Sequence, residues 1–273
     1  MSRRSDFHTH TIYGDGKNTP KEMAQAAYTM GMTDFGISEH AWMPDFPDEN
    51  GFGLTEEKLV RYTREMRELQ EWYRGRMKVH FGIELDGMGP IQKADYTIGS
   101  THMLRKSGRL IAVDDSEETL KEAVQQLWQG DWYAMAADYY KQEEKIVELT
   151  SCHIIGHFDL ITKFNQGGRL FDESADAYRE VALDAMKKLN RYGIPFEINT
   201  GAISRGYRKE PYPSSFLLKE LRNMGGKIMI NSDSHSISGL DQGWELARQL
   251  AADCGFSSRY ILDGTGGYRR VEL

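Results

Sequence analysis

The sequence predicts an α/β fold, a TIM-like parallel barrel with a metal site at the C-terminal ends of its strands. The chain has 273 residues, close to the roughly 250 that are typical of such barrels. Seven short apolar segments alternate with helical segments, which is the pattern of successive parallel β/α units. Nearly every apolar segment ends in His, Asp or Glu, and a closed barrel gathers all those strand ends on one face.

Each predicted element has a local signal. Thr19-Pro20-Lys21-Glu22 combines a capping box with Pro at the first helical position, so it starts a helix that ends at Gly31. The Pro-, Asp- and Gly-rich stretch 42–53 predicts a long loop, of the kind that is usually functional. Strands are predicted over residues 6–10, 33–38, 78–84, 95–102, 152–157, 193–199 and 227–231, and helices over 20–31, 54–74, 116–130, 132–149, 174–192, 214–224 and 240–254.

An open, doubly wound sheet is the alternative architecture. It would take its ligands from the strands beside one crevice, whereas here nearly every strand ends in a candidate ligand. The sequence also has a polar segment over 105–114 and a short tail after residue 254. No linker or repeat divides the chain. The sequence therefore predicts one domain over residues 1–273.

The composition indicates which partners and which cellular location to expect. Lys and Arg total 34 against 41 Asp and Glu, a net charge of −7 without a basic run, so nucleic acid is not an expected partner. No apolar run reaches the roughly 18–20 residues that span a bilayer, and the N-terminus has no signal-peptide core. We expect no membrane association and a cytoplasmic location. Cys152 and Cys254 lack metal-binding spacing and are expected to be buried free thiols.

The segment Asp6-Phe7-His8-Thr9-His10 is the centre of the predicted site. Alternate side chains of a strand share a face, so two imidazoles can bind one ion, and the carboxylate of Asp15 can reach them. The candidate ligands are His8, His10, Asp15, His40, Glu84, His102, His157, Asp233 and His235. Nine ligands without a thiolate suit three divalent transition-metal ions, zinc, iron or manganese. His80 and His153 each lie four residues, or roughly 13 Å, before a ligand and should be structural.

The same motifs resemble those of the PHP (polymerase and histidinol phosphatase) superfamily, and specifically its monofunctional histidinol-phosphatase branch. The matching pieces are His8-Thr-His10 with Asp15-Gly16, Ser38-Glu39-His40, Gly82-Ile-Glu84, Gly99-Ser-Thr-His102, Gly156-His-Phe-Asp159, Glu197-Ile-Asn199 and Ser232-Asp-Ser-His235. Family members often have Thr-Asp-His where this chain has Ser38-Glu39-His40. Asp159, Glu197 and Asn199 match without a ligand role, and we expect them to orient the imidazoles.

The resemblance implies a distorted (β/α)7 barrel, a trinuclear metal site and hydrolysis of L-histidinol phosphate to L-histidinol and phosphate. Carried over motif by motif, it implies His8, His10, Glu84 and Asp233 on one ion, Glu84, His102 and His157 on a second, and Asp15, His40 and His235 on a third. Three divalent ions and three carboxylates leave three positive charges, which match a phosphate dianion and a hydroxide. We expect an acidified water between two ions to attack phosphorus in line.

Substrate contacts are predicted on strand-end loops. Arg205 is the first candidate for the phosphate and Lys163 the second, because guanidinium binds phosphate through two parallel hydrogen bonds. Glu39 and Asp159 are the candidates for the substrate's ammonium and imidazole. The predicted catalytic residues are Glu84, Asp233, His235 and Arg205. Two alternatives remain: a metal-dependent enzyme on a nucleotide or phosphotyrosine, and a barrel that binds metal without catalysis.

Overall fold

A computed structural model describes residues 4–43 and 53–273, and most of the predicted loop 42–53 lies outside them. The strands of the described chain are β1 (Ser5–Asp6), β2 (Asp34–His40), β3 (Lys78–Asp86), β4 (Tyr96–Ser100), β5 (Met103–Lys106), β6 (Arg109–Ala112), β7 (Ile154–Ile155), β8 (Phe196–Asn199), β9 (Ile228–Asn231), β10 (Ser258–Leu262) and β11 (Tyr268–Glu272). Seven of them form one sheet in the order β1-β2-β3-β4-β7-β8-β9. All six pairings within that sheet are parallel.

The two edges of the sheet meet, so the barrel is nearly closed. Beyond β1, the amide of His10 donates to the carbonyl of Ser234 at 2.9 Å, and the amide of Ser234 donates to the carbonyl of His8 at 3.3 Å. Thr9 and Ser234 form an isolated parallel bridge. Sequential strand order together with this closure excludes the doubly wound alternative, whose order reverses at a switch point, and confirms the predicted distorted (β/α)7 barrel.

The helices lie between the strands as the sequence predicted. They are α1 (Pro20–Thr29), α2 (Glu56–Tyr73), α3 (Glu117–Leu127), α4 (Trp132–Glu143), α5 (Ile146–Thr150), α6 (Asp176–Asn190), α7 (Gly201–Ser204), α8 (Ser215–Asn223) and α9 (Trp244–Asp253), with short 3₁₀ turns at Leu160–Thr162 and Ile237–Gly239. The capping box of Thr19 and Glu22 is present at α1. Across both described ranges, no helix combines the length and the apolar composition that crossing a bilayer requires.

Four local predictions differ from the structure. The predicted strands 6–10 and 152–157 shorten to β1 (Ser5–Asp6) and β7 (Ile154–Ile155), with an isolated bridge at Thr9 beyond β1. The predicted helix 132–149 is two helices, α4 and α5, separated at residues 144–145. The polar segment 105–114 contains the antiparallel hairpin of β5 and β6, whose turn residues Ser107 and Gly108 have φ angles of 50° and 78°. Positive φ at both central positions is the geometry of a type I′ hairpin turn, for which Ser-Gly is a weak sequence signal. The tail forms a second hairpin, β10 with β11.

Apolar side chains fill most of the lower half of the barrel. Phe7, Tyr96, Met229 and Ile261 belong to one buried cluster, so the C-terminal hairpin helps to fill that end. His80 lies there, with its Nε2 3.5 Å from Asp34 Oδ1. Elsewhere at that end, His153 Nδ1 accepts a hydrogen bond from the amide of Thr97 at 3.2 Å. Both histidines therefore have structural partners, and Cys152 and Cys254 are buried free thiols, as predicted.

Candidate metal centre

The C-terminal face of the barrel brings together the nine side chains that the sequence singled out. Each ends or follows a barrel strand, except Glu84, which lies two residues before the end of β3, and Asp15, which lies in the loop before α1. Asp233 has a φ of 49°, an unusual value for a residue other than glycine, just beyond the end of β9. A Cβ atom at Gly201 would lie 2.6 Å from Asp233 Oδ2, so only glycine leaves room for that carboxylate. The donor atoms form four groups of close neighbours: His10, Asp15, His40 and His235; His8, His10 and Asp233; His8, Glu84 and His157; His40, Glu84 and His102.

Glu84 lies at the centre of the cluster and is almost completely buried. Its Oε2 is 3.0 Å from His40 Nδ1 and 3.2 Å from His8 Nε2. Its Oε1 is 3.1 Å from His157 Nε2 and 3.5 Å from His102 Nε2. Both oxygens thus face imidazoles from different strands, which is the arrangement that a carboxylate bridging two ions requires.

Asp233 and His10 are buried beside Glu84, and Asp15 and His235 extend the cluster towards solvent. Asp233 Oδ1 lies 3.3 Å from His10 Nε2 and 3.7 Å from His8 Nε2. Asp15 Oδ2 lies 3.0 Å from His235 Nε2, and Asp15 is the most exposed of the carboxylates in the cluster. The rings of His10 and His235 stack with centroids 4.4 Å apart.

The donor atoms fit divalent transition-metal ions. His8 Nε2 and His10 Nε2 are buried and make no hydrogen bond, an arrangement that is costly unless another partner binds them. Two ligand atoms that are each about 2.1 Å from one ion at a tetrahedral angle are roughly 3.4 Å apart. The separations of 3.2 Å for His8 and Glu84 and 3.3 Å for His10 and Asp233 are of that size. Imidazole and carboxylate without thiolate is a zinc, iron or manganese donor set.

The buried charges of the cluster shift the pKa values of the candidate ligands in both directions. Burial would raise the pKa of Glu84, but attraction to His8 and the neighbouring imidazoles outweighs it and holds that pKa well below its usual range. Asp233 has a lowered pKa because Arg205 and His8 outweigh its burial. Burial and the neighbouring imidazoles lower the pKa of His10 to about 3. The two carboxylates are therefore ionised and His10 is neutral, the forms that bind metals. Despite burial, nearby carboxylates raise the pKa of His8 well above its usual value and that of His40 to about 9, so a metal that binds these two imidazoles must displace a proton.

Two buried carboxylates, those of Glu197 and Asp86, accept hydrogen bonds from candidate ligand residues. Glu197 Oε1 accepts from His8 Nδ1 at 2.7 Å, which turns Nε2 of that ring towards the cluster. Asn199 Nδ2 donates to Glu197 Oε2 at 2.8 Å, in agreement with the predicted orienting role of both residues. The sequence interpretation missed Asp86, whose Oδ2 accepts from the amide of His102 at 2.8 Å. Asp86 lies two residues after Glu84 on the same face of the strand, and this spacing could have identified it as a residue of the site.

An open cavity of about 570 Å³ lies over the cluster, and both predicted phosphate-binding side chains line it. Arg205 donates to Asp233 Oδ2 at 3.0 Å, and its Nη1 is 2.9 Å from His235 Nδ1. Lys163 Nζ donates to the carbonyl of Asp114 at 2.5 Å. The cavity therefore has a cationic wall beside the candidate metal ligands.

The two predicted contacts to the ammonium and imidazole do not line this cavity. Glu39 is fully buried and accepts hydrogen bonds from the amide and the hydroxyl of Thr11. Asp159 is also fully buried, accepts from the amide of Ser214 at 2.9 Å and lies near the charge of Arg208. Both carboxylates instead fix loops behind the site, because each is directed at backbone donors of a neighbouring segment.

The fold and the site define a class of protein, a parallel β/α barrel with a candidate polynuclear metal centre at its C-terminal face. Within that class, the chain belongs to the PHP domain family, whose model matches residues 6–201. It is 26% identical to a Schizosaccharomyces pombe protein named "probable histidinol-phosphatase", over 95% of this chain and 90% of that one. It is 24% identical to the histidinol-phosphatase of Bacillus subtilis, over 89% of this chain and 97% of that one.

Solved structures share the fold. The histidinol phosphate phosphatase of Lactococcus lactis, solved with zinc, L-histidinol and phosphate, has a TM-score of 0.71. It is 21% identical and covers 98% of this chain and 99% of its own. The hisK protein of Listeria monocytogenes has a TM-score of 0.78 at 19% identity, covering 89% of this chain and 99% of its own. These likenesses confirm the barrel architecture.

Proposed function

We propose that this protein is a metal-dependent phosphomonoesterase that hydrolyses L-histidinol phosphate to L-histidinol and phosphate. The observation that carries the proposal is the convergence of nine His, Asp and Glu side chains, seven of which line one open cavity together with Lys163 and Arg205. The family and the names of its relatives supply the substrate. A barrel that had lost catalysis would have no reason to keep this complete ligand set next to two cations.

Three divalent ions are the proposed cofactors. Glu84 would be shared by two of them, one completed by His8, His10 and Asp233 and the other by His102 and His157. Asp15, His40 and His235 would bind the third. This assignment is supported by the contacts of Glu84 Oε1 with His157 and His102, at 3.1 and 3.5 Å. When bound, such ions supply an acidified water and neutralise charge on the transferred phosphoryl group.

The protein's own groups would bind and orient the phosphate. Arg205 carries its charge throughout, because Asp233 raises its pKa further above the usual value despite burial. Its guanidinium can donate to two phosphate oxygens at once, while Lys163 provides a single ammonium. Glu197 keeps His8 in the orientation that presents Nε2, through the 2.7 Å contact at Nδ1.

The deciding experiment is phosphate release from a panel of substrates by the metal-loaded protein. We expect kcat/KM for L-histidinol phosphate to exceed that for p-nitrophenyl phosphate, phosphotyrosine and a 5′-nucleotide by more than tenfold. That ratio corresponds to about 1.4 kcal/mol of differential transition-state binding. A preference of less than tenfold for the histidinol ester would leave the proposed substrate without support and favour a different phosphomonoester.

A further inference from the structure

The cavity has a second wall that differs chemically from the cationic one. The hairpin of β5 and β6 contributes Arg109 and apolar side chains, including Leu110 and Ile111, and the segment between β6 and α3 contributes the acidic pair Asp114 and Asp115. A phosphate ester with an apolar body and a positive charge would match the two walls together. A nucleotide or a simple aryl phosphate has no cation to place against the acidic pair.

Asp114 is held close to the candidate metal ligands. The amide of Val113 donates to the carbonyl of His102 at 2.8 Å, so Asp114 is one residue beyond the backbone partner of a candidate ligand. Its Oδ2 lies 3.4 Å from Lys163 Nζ, and its side chain is 26% exposed. A carboxylate accepts hydrogen bonds at both oxygens, so a contact of Oδ2 with Lys163 leaves Oδ1 able to bind a ligand.

Asp114 is also ionised. Burial would raise the pKa of this carboxyl, but the charge of Lys163 and the nearby His102 outweigh burial and hold the pKa below its usual value. A negative charge that is partly removed from water, as at Asp114, interacts with a cation more strongly than a fully exposed one.

Among the described residues, five carboxylates line the cavity: Asp15, Glu84, Asp114, Asp115 and Asp233. Three of these are proposed metal ligands, which leaves the acidic pair. Asp115 is exposed at the start of α3, where its Oδ2 accepts from the hydroxyl of Thr119 at 3.4 Å. Asp114 is thus the better-desolvated carboxylate of the two, and the one next to a ligand strand.

We propose that Asp114 is the specificity-determining residue that binds the substrate's ammonium group, an inference that rests on the proposed function. Four covalent bonds of about 1.5 Å separate phosphorus from the amine nitrogen in L-histidinol phosphate, so the ammonium lies within roughly 5 Å of phosphorus. With the phosphate beside Lys163, the carboxylate that contacts Lys163 is within reach of the ammonium. Asp114 then discriminates amino-alkyl phosphates from phosphomonoesters that lack the amine.

The test compares two substrates that differ only in the amine, L-histidinol phosphate and 3-(imidazol-4-yl)propyl phosphate. We expect the wild-type enzyme to prefer the amine-bearing ester by more than about tenfold in kcat/KM. Asp114→Asn should lower kcat/KM for that ester by about ten- to a hundredfold, the size expected for one charge-assisted hydrogen bond. The same variant should leave the value for the ester without the amine within about threefold.

Glu117→Gln is the matched control, because it removes one negative charge three residues away, from a side chain that pairs with Lys121 outside the cavity. It should leave both values unchanged. If Asp114→Asn does not fold, Asp114→Ser removes the same carboxylate and carries the same expectation.

Three results would overturn the assignment. An Asp114 variant that keeps the amine preference would remove Asp114 from the ammonium site while leaving the proposed substrate intact. An equal loss on both esters would mean that Asp114 acts only by holding Lys163. A wild-type enzyme without amine preference would contradict any ammonium site, and the separate comparison with p-nitrophenyl phosphate then decides whether the proposed substrate also fails.

Discussion

Glu197 provides the most quantitative prediction, through the substitution Glu197→Gln. The carboxylate accepts four hydrogen bonds in the buried centre of the barrel: from His8 Nδ1 at 2.7 Å and Asn231 Nδ2 at 2.9 Å on one oxygen, and from the amide of His157 at 3.0 Å and Asn199 Nδ2 at 2.8 Å on the other. A glutamine keeps only one acceptor oxygen. Whichever way its amide turns, two buried donors then face an NH₂ group.

Each buried donor that loses its acceptor costs about 1–3 kcal/mol, so the free energy of unfolding of the metal-free protein should fall by about 2–6 kcal/mol. If the amide oxygen faces His157, the His8 ring also loses the contact that fixes its orientation. Removing such an outer partner lowers metal affinity by about ten- to a hundredfold. Urea unfolding of the metal-free protein measures the first effect, and competition with a chromophoric chelator measures the second.

A surface carboxylate provides the control. Glu148 accepts one hydrogen bond, from the hydroxyl of the exposed Tyr192 at 2.7 Å. Glu148→Gln should therefore change the free energy of unfolding by less than about 0.5 kcal/mol, since exposed substitutions usually have small effects. If Glu197→Gln behaves like this control in both stability and metal affinity, the orienting role of Glu197 is wrong.

Three further predictions concern the site itself. Elemental analysis of the purified protein should find close to three transition-metal ions per chain, and full activity with one ion or none would refute a trinuclear centre. Glu84→Ala should abolish activity and remove at least two ions together, whereas His80→Ala should leave the metal content unchanged. If the two variants had the same activity and metal content, the assigned strand register would be wrong. Arg205→Ala should lower kcat/KM about ten- to a hundredfold. A raised KM with normal kcat would show that Arg205 binds the ground and transition states equally, and unchanged kinetics would remove it from the phosphate site.

The sequence by itself determined the ligand candidates and the order of the β/α units. Strand periodicity places His8 and His10 on one face, and four residues of strand separate His80 from Glu84, so the candidate ligand histidines can be told apart from His80 without coordinates. These properties follow from spacing along a single element, and the barrel places them as spacing predicts.

The tertiary structure alone decided what lies around that cluster. The sequence cannot show that Glu39 and Asp159 are enclosed by neighbouring loops, because burial depends on segments far away in the chain, such as Ser214 for Asp159. Nor could it place Asp114 in the cavity, since that position depends on the β5–β6 hairpin folding back so that Val113 meets His102. The candidate metal ligands at strand ends are placed by local periodicity, whereas the wall that we propose faces the substrate is built from loops whose contacts are long-range.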